Sequence, residues 1–140
     1  MILLDTSVLS LAFRRRPSLH EPPAVTSFRR LVRADAPVAI PGIVLPELLS
    51  GVKTDADVER LQTLLGGFPI ILADRRDHVA AAGIANACRR HGVSVSTVDC
   101  LIAAQATVRR AALFTLDADF ARMRPYCDLR LFPARPVTRS

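Results

Sequence analysis

Carboxylates are the residues of this 140-residue chain that could perform chemistry. They occur on four segments far apart in the sequence, at Asp5, Glu47, Asp99, Asp117 and Asp119. Clustered carboxylates repel one another, so at neutral pH they require protons or cations. Oxygen ligands select hard ions, which favours Mg²⁺ or Mn²⁺ over softer metals. A metal pair held by carboxylates suits the hydrolysis of phosphodiester bonds.

Each acid taken alone has an ordinary structural explanation. Asp5 could cap a helix, and Asp99 could suit the positive end of a helix dipole. The two later acids could form a turn or act as caps. Glu47 stands out because apolar residues flank it, which predicts that little of its helix is free to face water. Asp5 also lies between apolar neighbours. The hypothesis of a metal site held by carboxylates therefore rests on the occurrence of all these acids together.

Short apolar runs alternate with segments of helical spacing along the chain. The first run, Met1–Leu4, predicts a buried strand that ends at Asp5, and Thr6 or Ser7 is predicted to cap a helix over 8–13. Further strands are predicted over 38–40, 68–72, 111–115 and 129–132. Further helices are predicted over 24–34, 43–50, 55–65, 75–91 and 98–110, with an acidic turn over 117–119.

Several helix ends are also predicted from residue type. Thr97 is the predicted N-cap of the helix that carries Asp99 in its first turn. Gly51 and Gly92 are predicted to close their helices. Pro46 is unusual within a helix, but it falls in the first turn, where its missing N–H matters least.

Strands that alternate with helices predict an α/β fold with a mostly parallel sheet covered on both faces. The length predicts one domain, which we place at residues 1–133, followed by a loose polar tail over 134–140. In such sheets ligands bind outside the carboxyl ends of the strands. The acids fall at these ends or at adjacent helix starts, so the topology predicts that they meet at one point.

The formal net charge is +6, and the basic residues are 18 arginines and one lysine. Arginine suits phosphate and carboxylate, which fits an RNA substrate or an acidic partner, but genomic base composition explains scattered arginines equally well. Arg14, Arg15 and Arg16 are a candidate contact for RNA or a protein partner, with a solvated loop as the alternative.

Other sequence features exclude several classes of protein. No apolar run approaches the ~20 residues of a membrane span, and the basic cluster follows the first apolar segment, the wrong order for a secretory signal. We therefore expect a cytoplasmic protein. The three cysteines and three histidines show no zinc-binding spacing.

Four motifs in order resemble the PIN-domain family, in particular the VapC toxins of bacterial toxin–antitoxin pairs. They are Ile2-Leu3-Leu4-Asp5-Thr6-Ser7-Val8-Leu9, Pro46-Glu47-Leu48-Leu49-Ser50-Gly51, Thr97-Val98-Asp99-Cys100-Leu101-Ile102-Ala103-Ala104 and Phe114-Thr115-Leu116-Asp117-Ala118-Asp119-Phe120. The resemblance covers nearly the whole chain and implies a three-layer α/β/α domain with a short, mostly parallel central sheet.

The resemblance also implies roles for individual residues. The family's acidic positions carry over to Asp5, Glu47, Asp99 and Asp117. Of these, Asp5, Asp99 and Asp117 would bind the metal directly. Glu47 would act through water or as a base. Supporting positions would be Thr6, Ser7, Thr115 and Asp119.

The activity implied by the resemblance is Mg²⁺- or Mn²⁺-dependent cleavage of structured RNA, commonly transfer or ribosomal RNA, which blocks translation. The implied partners are a VapB-like antitoxin and a second copy of the chain in a homodimer. Two alternatives are an inactive PIN module that binds RNA or protein and a phosphorelay receiver. The receiver fits poorly, because its phosphate-accepting acid would be Asp74 and the one lysine is Lys53.

Overall fold

The N-terminal strand lies at the centre of a five-stranded parallel sheet. The structure is a computed structural model that describes residues 1–14 and 19–133. Within these residues the strand order is β3-β2-β1-β4-β5, and each neighbouring pair is parallel. The strands are β1 (Ile2–Leu4), β2 (Val38–Pro41), β3 (Ile70–Ile71), β4 (Ala112–Phe114) and β5 (Arg130–Phe132). The predicted α/β class with a short parallel sheet is confirmed.

Helices cover both faces of this sheet. They are α1 (Thr6–Ala12), α2 (Pro23–Arg33), α3 (Val44–Leu49), α4 (Asp55–Leu65), α5 (Arg75–Arg90), α6 (Thr97–Val108) and α7 (Ala118–Met123), followed by a 3₁₀ turn at Arg124–Tyr126. Helix α1 packs on α2 and α3, whereas α6 packs on α5 and α7. Leu3 and Leu4 of β1 are fully buried, as expected for a strand with a helix layer on each side.

The parallel register aligns the ends of β1 and β4. Leu4 pairs with Phe114, and the Asp5 N–H donates to the Phe114 carbonyl at 3.0 Å. Asp5 and Thr115 are therefore the next residues on two adjacent strands. This alignment places both side chains at the carboxyl edge of the sheet, where the crevice is expected.

Two predicted helix starts are wrong by one or two residues. Helix α1 begins at Thr6, and the N-cap position is Asp5, so neither Thr6 nor Ser7 caps it. Helix α6 has Ser96 as its N-cap, because the Ser96 hydroxyl accepts from the Asp99 N–H at 3.0 Å, and Thr97 is already helical. Ser96 and Asp99 have the three-residue spacing of a helix start, which a stricter reading of the sequence detects.

Of the two glycines predicted to close helices, the structure confirms Gly92 but not Gly51. Gly92 has a φ of +72°, and it follows α5, where the Val93 N–H donates to the Cys88 carbonyl at 2.9 Å. This left-handed conformation favours glycine. Helix α3 instead ends at Leu49 with Ser50 as its C-cap in a right-handed conformation, so Gly51 does not close it through a left-handed turn. Pro46 lies in the first turn of α3, as predicted.

The predicted acidic turn over 117–119 is the start of helix α7. Asp117 is its N-cap and accepts from the Asp119 N–H at 2.9 Å, while Asp119 lies in the first turn. Phe120 and Met123 bury the apolar side of this short helix. The turn prediction was wrong because packing of these two side chains stabilises a helix that local residue types alone do not indicate.

A buried ion pair joins α5 to the end of α6. Arg109 donates to both carboxylate oxygens of Asp77, at 2.7 and 2.9 Å, and Asp77 is fully buried. Hydrogen bonding from Arg109 holds the pKa of Asp77 below its usual range. Asp77 also forms a reciprocal capping box with Asp74 at the start of α5. Asp74, the acid required by the receiver alternative, is therefore used as a helix cap.

Two sequence-based predictions fall outside the described residues. These are the loose tail over 134–140 and the proposed contact residues Arg15 and Arg16, whereas Arg14 is described and exposed. Within the described ranges, no helix is both long and apolar enough to cross a membrane.

Candidate metal centre

Asp5 is held at the sheet edge by two hydroxyl groups. Thr115 Oγ1 donates to Asp5 Oδ2 at 2.7 Å, and Ser7 Oγ donates to the same oxygen at 2.8 Å. The hydroxyls in turn accept backbone N–H groups, Ser7 from Leu116 and Thr115 from Asp117. Within the described residues, Asp5 Oδ1 receives no hydrogen bond, so one oxygen of this buried carboxylate is available to a ligand.

Three further carboxylates converge beside Asp5. One oxygen each from Asp99, Asp117 and Asp119 lies within 4.8 Å of the others. Helix α6 supplies the first of these acids, and the start of α7 supplies the other two. In the part of the chain that the structure describes, no other set of three histidine, cysteine, aspartate or glutamate side chains is this close. Asp119, predicted from the sequence to have only a supporting role, lies in one group with Asp99 and Asp117.

The other carboxylates lie close enough to Asp99 for their charges to act on it. Burial raises the pKa of Asp99 to about 6, with further increases from the charges of Asp117, Asp5 and Asp119 that the Ser96 hydroxyl partly opposes. Without a cation, Asp99 thus takes up a proton at a higher pH than an ordinary aspartate does, although it is mainly ionised at pH 7.5. A carboxylate-only donor set of this kind fits a hard divalent cation such as Mg²⁺ or Mn²⁺.

Glu47 lies at the margin of this site. Its Oε1 accepts from Thr6 Oγ1 at 2.9 Å, and Thr6 directly follows Asp5. The side chain is exposed, so the prediction that its helix leaves little room for water is wrong. Helix α3 has only six residues; Val44 and Leu48 are buried, Leu45 and Leu49 pack partly against the core, and Glu47 lies on the side left open.

A small groove extends from Glu47 along α1. Its volume is about 310 Å³, and its walls include Thr6, Ser10, Leu48 and Leu61.

The hydroxyl residues connect the acids of the site. Thr6 links Glu47 to Asp5, because it bonds Glu47 and directly follows Asp5 in the chain, whereas Ser7 and Thr115 hold Asp5. The structure brings all the predicted supporting side chains to the carboxyl edge of the sheet.

Arg122 is a site residue that the sequence analysis did not predict. Its Nη1 donates to Asp119 Oδ1 at 2.8 Å, which forms an ion pair across one turn of α7. The three-residue spacing of an acid and an arginine on one helix is a usable signal. It was missed because residues 117–119 were assigned to a turn.

The raised pKa of Asp99 leads to a prediction about the stability of the chain in chelator. A folded pKa above the unfolded value contributes stability at low pH that is lost as the pH rises from about 4 to about 6. Asp99→Asn should therefore raise the free energy of unfolding at pH 7.5 by about 1 kcal/mol, a figure reduced for solvent screening of a half-buried group.

The measurement is urea unfolding at pH 4 and pH 7.5 with chelator present. The gain should disappear at pH 4, where the wild-type Asp99 is also neutral. Asp55→Asn, an exposed acid at the start of α4, serves as the matched control and should show no gain at either pH. An equal effect of Asp99→Asn at both pH values would contradict the assigned electrostatics.

Comparison with known proteins identifies the family. A family model described as PIN domain matches residues 2–124. The chain belongs to the PIN-domain family. The match spans all four acidic segments, from Asp5 to Asp119, so the clustered acids lie within the PIN domain.

Curated PIN-domain relatives are close enough for direct comparison. The chain is 39% identical over 123 residues to a protein named VapC ribonuclease Mb1587 from Mycobacterium bovis, and equally to one named ribonuclease VapC11 from Mycobacterium tuberculosis. In both cases the alignment covers 86% of this chain and 89% of the relative. The expected resemblance to VapC proteins is thus confirmed.

Solved structures support the PIN fold independently. FitAcB from Neisseria gonorrhoeae has a TM-score of 0.74 at 24% identity, covering 96% of this chain and 98% of that one. VapBC2 from Rickettsia felis, solved bound to a DNA fragment from their promoter, has a TM-score of 0.75 at 23% identity and covers 94% and 97%. At this identity the likeness concerns the fold.

Proposed function

We propose that this PIN domain is a metal-dependent endoribonuclease of the VapC toxin type. The observation that carries the proposal is the convergence of Asp99, Asp117 and Asp119 within 4.8 Å, beside the buried Asp5. Within the described residues Arg122 pairs with only one of these carboxylates, so the group remains costly unless a cation binds there. The 39% identity to proteins named VapC ribonucleases supports RNA as the substrate.

The proposed ligands of Mg²⁺ or Mn²⁺ are Asp5, Asp99 and Asp117. Bound there, the metal would polarise the phosphate and lower the pKa of a coordinated water. Asp119, which the geometry places in the same group, would complete the negative site or hold a neighbouring cation. Glu47 is exposed beside the centre and would accept a proton from water or bind the metal through water.

The hydroxyl residues would orient the ligands without contacting the metal. Ser7 and Thr115 both donate to Asp5 Oδ2, which would leave the other carboxylate oxygen to bind the metal. Thr6 would restrain Glu47 in the same way. Prior orientation of ligands lowers the cost of binding and of reaching the reactive geometry.

Cleavage of RNA is the direct test of this function. Purified chain, freed of any bound antitoxin, is incubated with total bacterial RNA in Mg²⁺, in Mn²⁺ and in chelator. We expect discrete cuts that require the metal, and mapping of the ends would identify the target among transfer and ribosomal RNAs. Asp5→Ala should be inactive, and Asp55→Asn should cut like the wild type.

Intact RNA under every condition, from folded protein that binds Mn²⁺, would overturn the proposal. That outcome would instead support a PIN module that binds RNA or protein without cleaving it. Cuts that persist in chelator would contradict the metal dependence.

The biological setting follows from the same proposal. Cleavage of transfer or ribosomal RNA would inhibit translation in the cytoplasm, and a VapB-like antitoxin would neutralise the enzyme. An excess of carboxylates suits a basic antitoxin side chain. We further propose a homodimer and a single domain over 1–133, which size measurements and limited proteolysis would test.

A further inference from the structure

The ion pair between Arg122 and Asp119 places a cation at the edge of the acidic centre. Within the described residues, it is the one ion pair formed by any of the five site acids. Asp119 Oδ1 binds Arg122 Nη1 at 2.8 Å, while an oxygen of Asp119 lies within 4.8 Å of Asp99 and Asp117. The Asp119 carboxylate therefore lies between the Arg122 guanidinium and the other acids of the proposed metal site.

Most of the hydrogen-bonding capacity of Arg122 is unused. A guanidinium carries five N–H donors, and Arg122 uses one of them within the described part of the chain. Its side chain is 51% exposed, so solvent and ligands reach the remaining donors. The Asp119 contact keeps the guanidinium next to the acidic group, where its remaining donors can reach a ligand.

We propose that Arg122 binds a phosphate of the substrate next to the phosphodiester held at the acidic centre. This inference rests on the proposed function, since it names a substrate contact of that same site. Arginine matches the geometry of phosphate with two parallel N–H bonds, and a cation next to crowded carboxylates offsets their repulsion of a polyanion. Asp119 would thus position Arg122 as well as add to the negative centre.

Binding of RNA by an inactive chain separates this role from catalysis. The experiment measures the affinity of fluorescently labelled bulk transfer RNA for Asp5→Asn and for Asp5→Asn with Arg122→Ala, over a range of salt concentrations. We expect about tenfold weaker binding without Arg122. The slope of affinity against salt should become shallower by ~0.7, the value for one lost phosphate contact on a single strand.

Two further variants make the result specific. Arg122→Lys keeps the charge but not the paired donors, so it should restore the salt slope and only part of the affinity. Arg76→Ala removes another exposed arginine that is ion-paired to an aspartate, at the start of α5, and should leave the affinity unchanged. In the absence of RNA, the Arg122→Ala variant should bind Mn²⁺ no more weakly than the chain that keeps Arg122.

Each alternative outcome overturns the inference. Unchanged RNA affinity and salt slope in Arg122→Ala would show that Arg122 contacts no phosphate. Weaker Mn²⁺ binding with an unchanged salt slope would show that Arg122 only positions Asp119. Failure of the wild type to cut or bind any RNA would instead contradict the proposed function, which keeps the two failures distinguishable.

Discussion

Asp5→Asn is expected to lower the rate of RNA cleavage by about a thousandfold or more, because a lost charged ligand removes several kcal/mol of metal-derived stabilisation from the transition state. The change is nearly isosteric, and the amide oxygen can still accept from Ser7 and Thr115. The fold should therefore survive. Initial rates on one mapped RNA target, together with circular dichroism, measure both effects.

Replacing a hydroxyl partner of Asp5 separates the effect of a lost hydrogen bond from the effect of a lost charge. Thr115→Val removes one of the two donors to Asp5 and should reduce cleavage by less than Asp5→Asn does, since the charge remains. Asp55→Asn, an exposed acid on α4, should keep the wild-type rate. Retention of more than about a tenth of the wild-type rate by Asp5→Asn would remove Asp5 from the catalytic assignment.

Asp77→Ala is expected to destabilise the chain by about 3–5 kcal/mol, the cost of leaving a largely buried charge without its partner. Arg109 would lose both of its bonds to the carboxylate, and α5 would lose its capping box. This pair joins α5 to the end of α6, the helix that carries Asp99 at its other end. Urea unfolding at neutral pH gives the change in free energy.

Removing both charges should cost less than removing one. The double variant Asp77→Asn with Arg109→Met leaves no unpaired charge, so it should be more stable than Asp77→Ala. Arg29→Ala breaks an exposed ion pair with Glu21 and should change stability by less than ~1 kcal/mol. A loss for Asp77→Ala no larger than that for Arg29→Ala would show that the buried pair contributes little.

Much of the fold was predictable because its strands are short apolar runs. Met1–Leu4 favoured a strand buried on both faces, which predicted Asp5 at the sheet edge. The same reasoning placed Asp99 and Asp117 near that edge from their positions after helix and strand boundaries. Acids that follow such runs stand out in the sequence. Burial requires apolar residues in the strand, whereas catalysis requires charged residues directly after it.

The remaining features depend on tertiary contacts that local patterns do not contain. Helix α7 forms because Phe120 and Met123 are buried, and only with that helix does Arg122 reach Asp119. The partner of Asp77 lies 32 residues away, and no periodic pattern connects them. Exposure of Glu47 likewise depends on which side of α3 packs against the core.

The order of the strands has a consequence for synthesis of the chain. The central strand is made before the other four strands that the structure describes, but its neighbour β4 begins 110 residues after it, and the last acid of the cluster is Asp119. A growing chain on the ribosome can pair β1 with β2 early, yet it lacks three of the four carboxylates beside the sheet edge until α6 and α7 have emerged. Long-range closure of this kind is a late step in folding. The acidic centre is therefore absent from a nascent chain until the residues of α7 have been made.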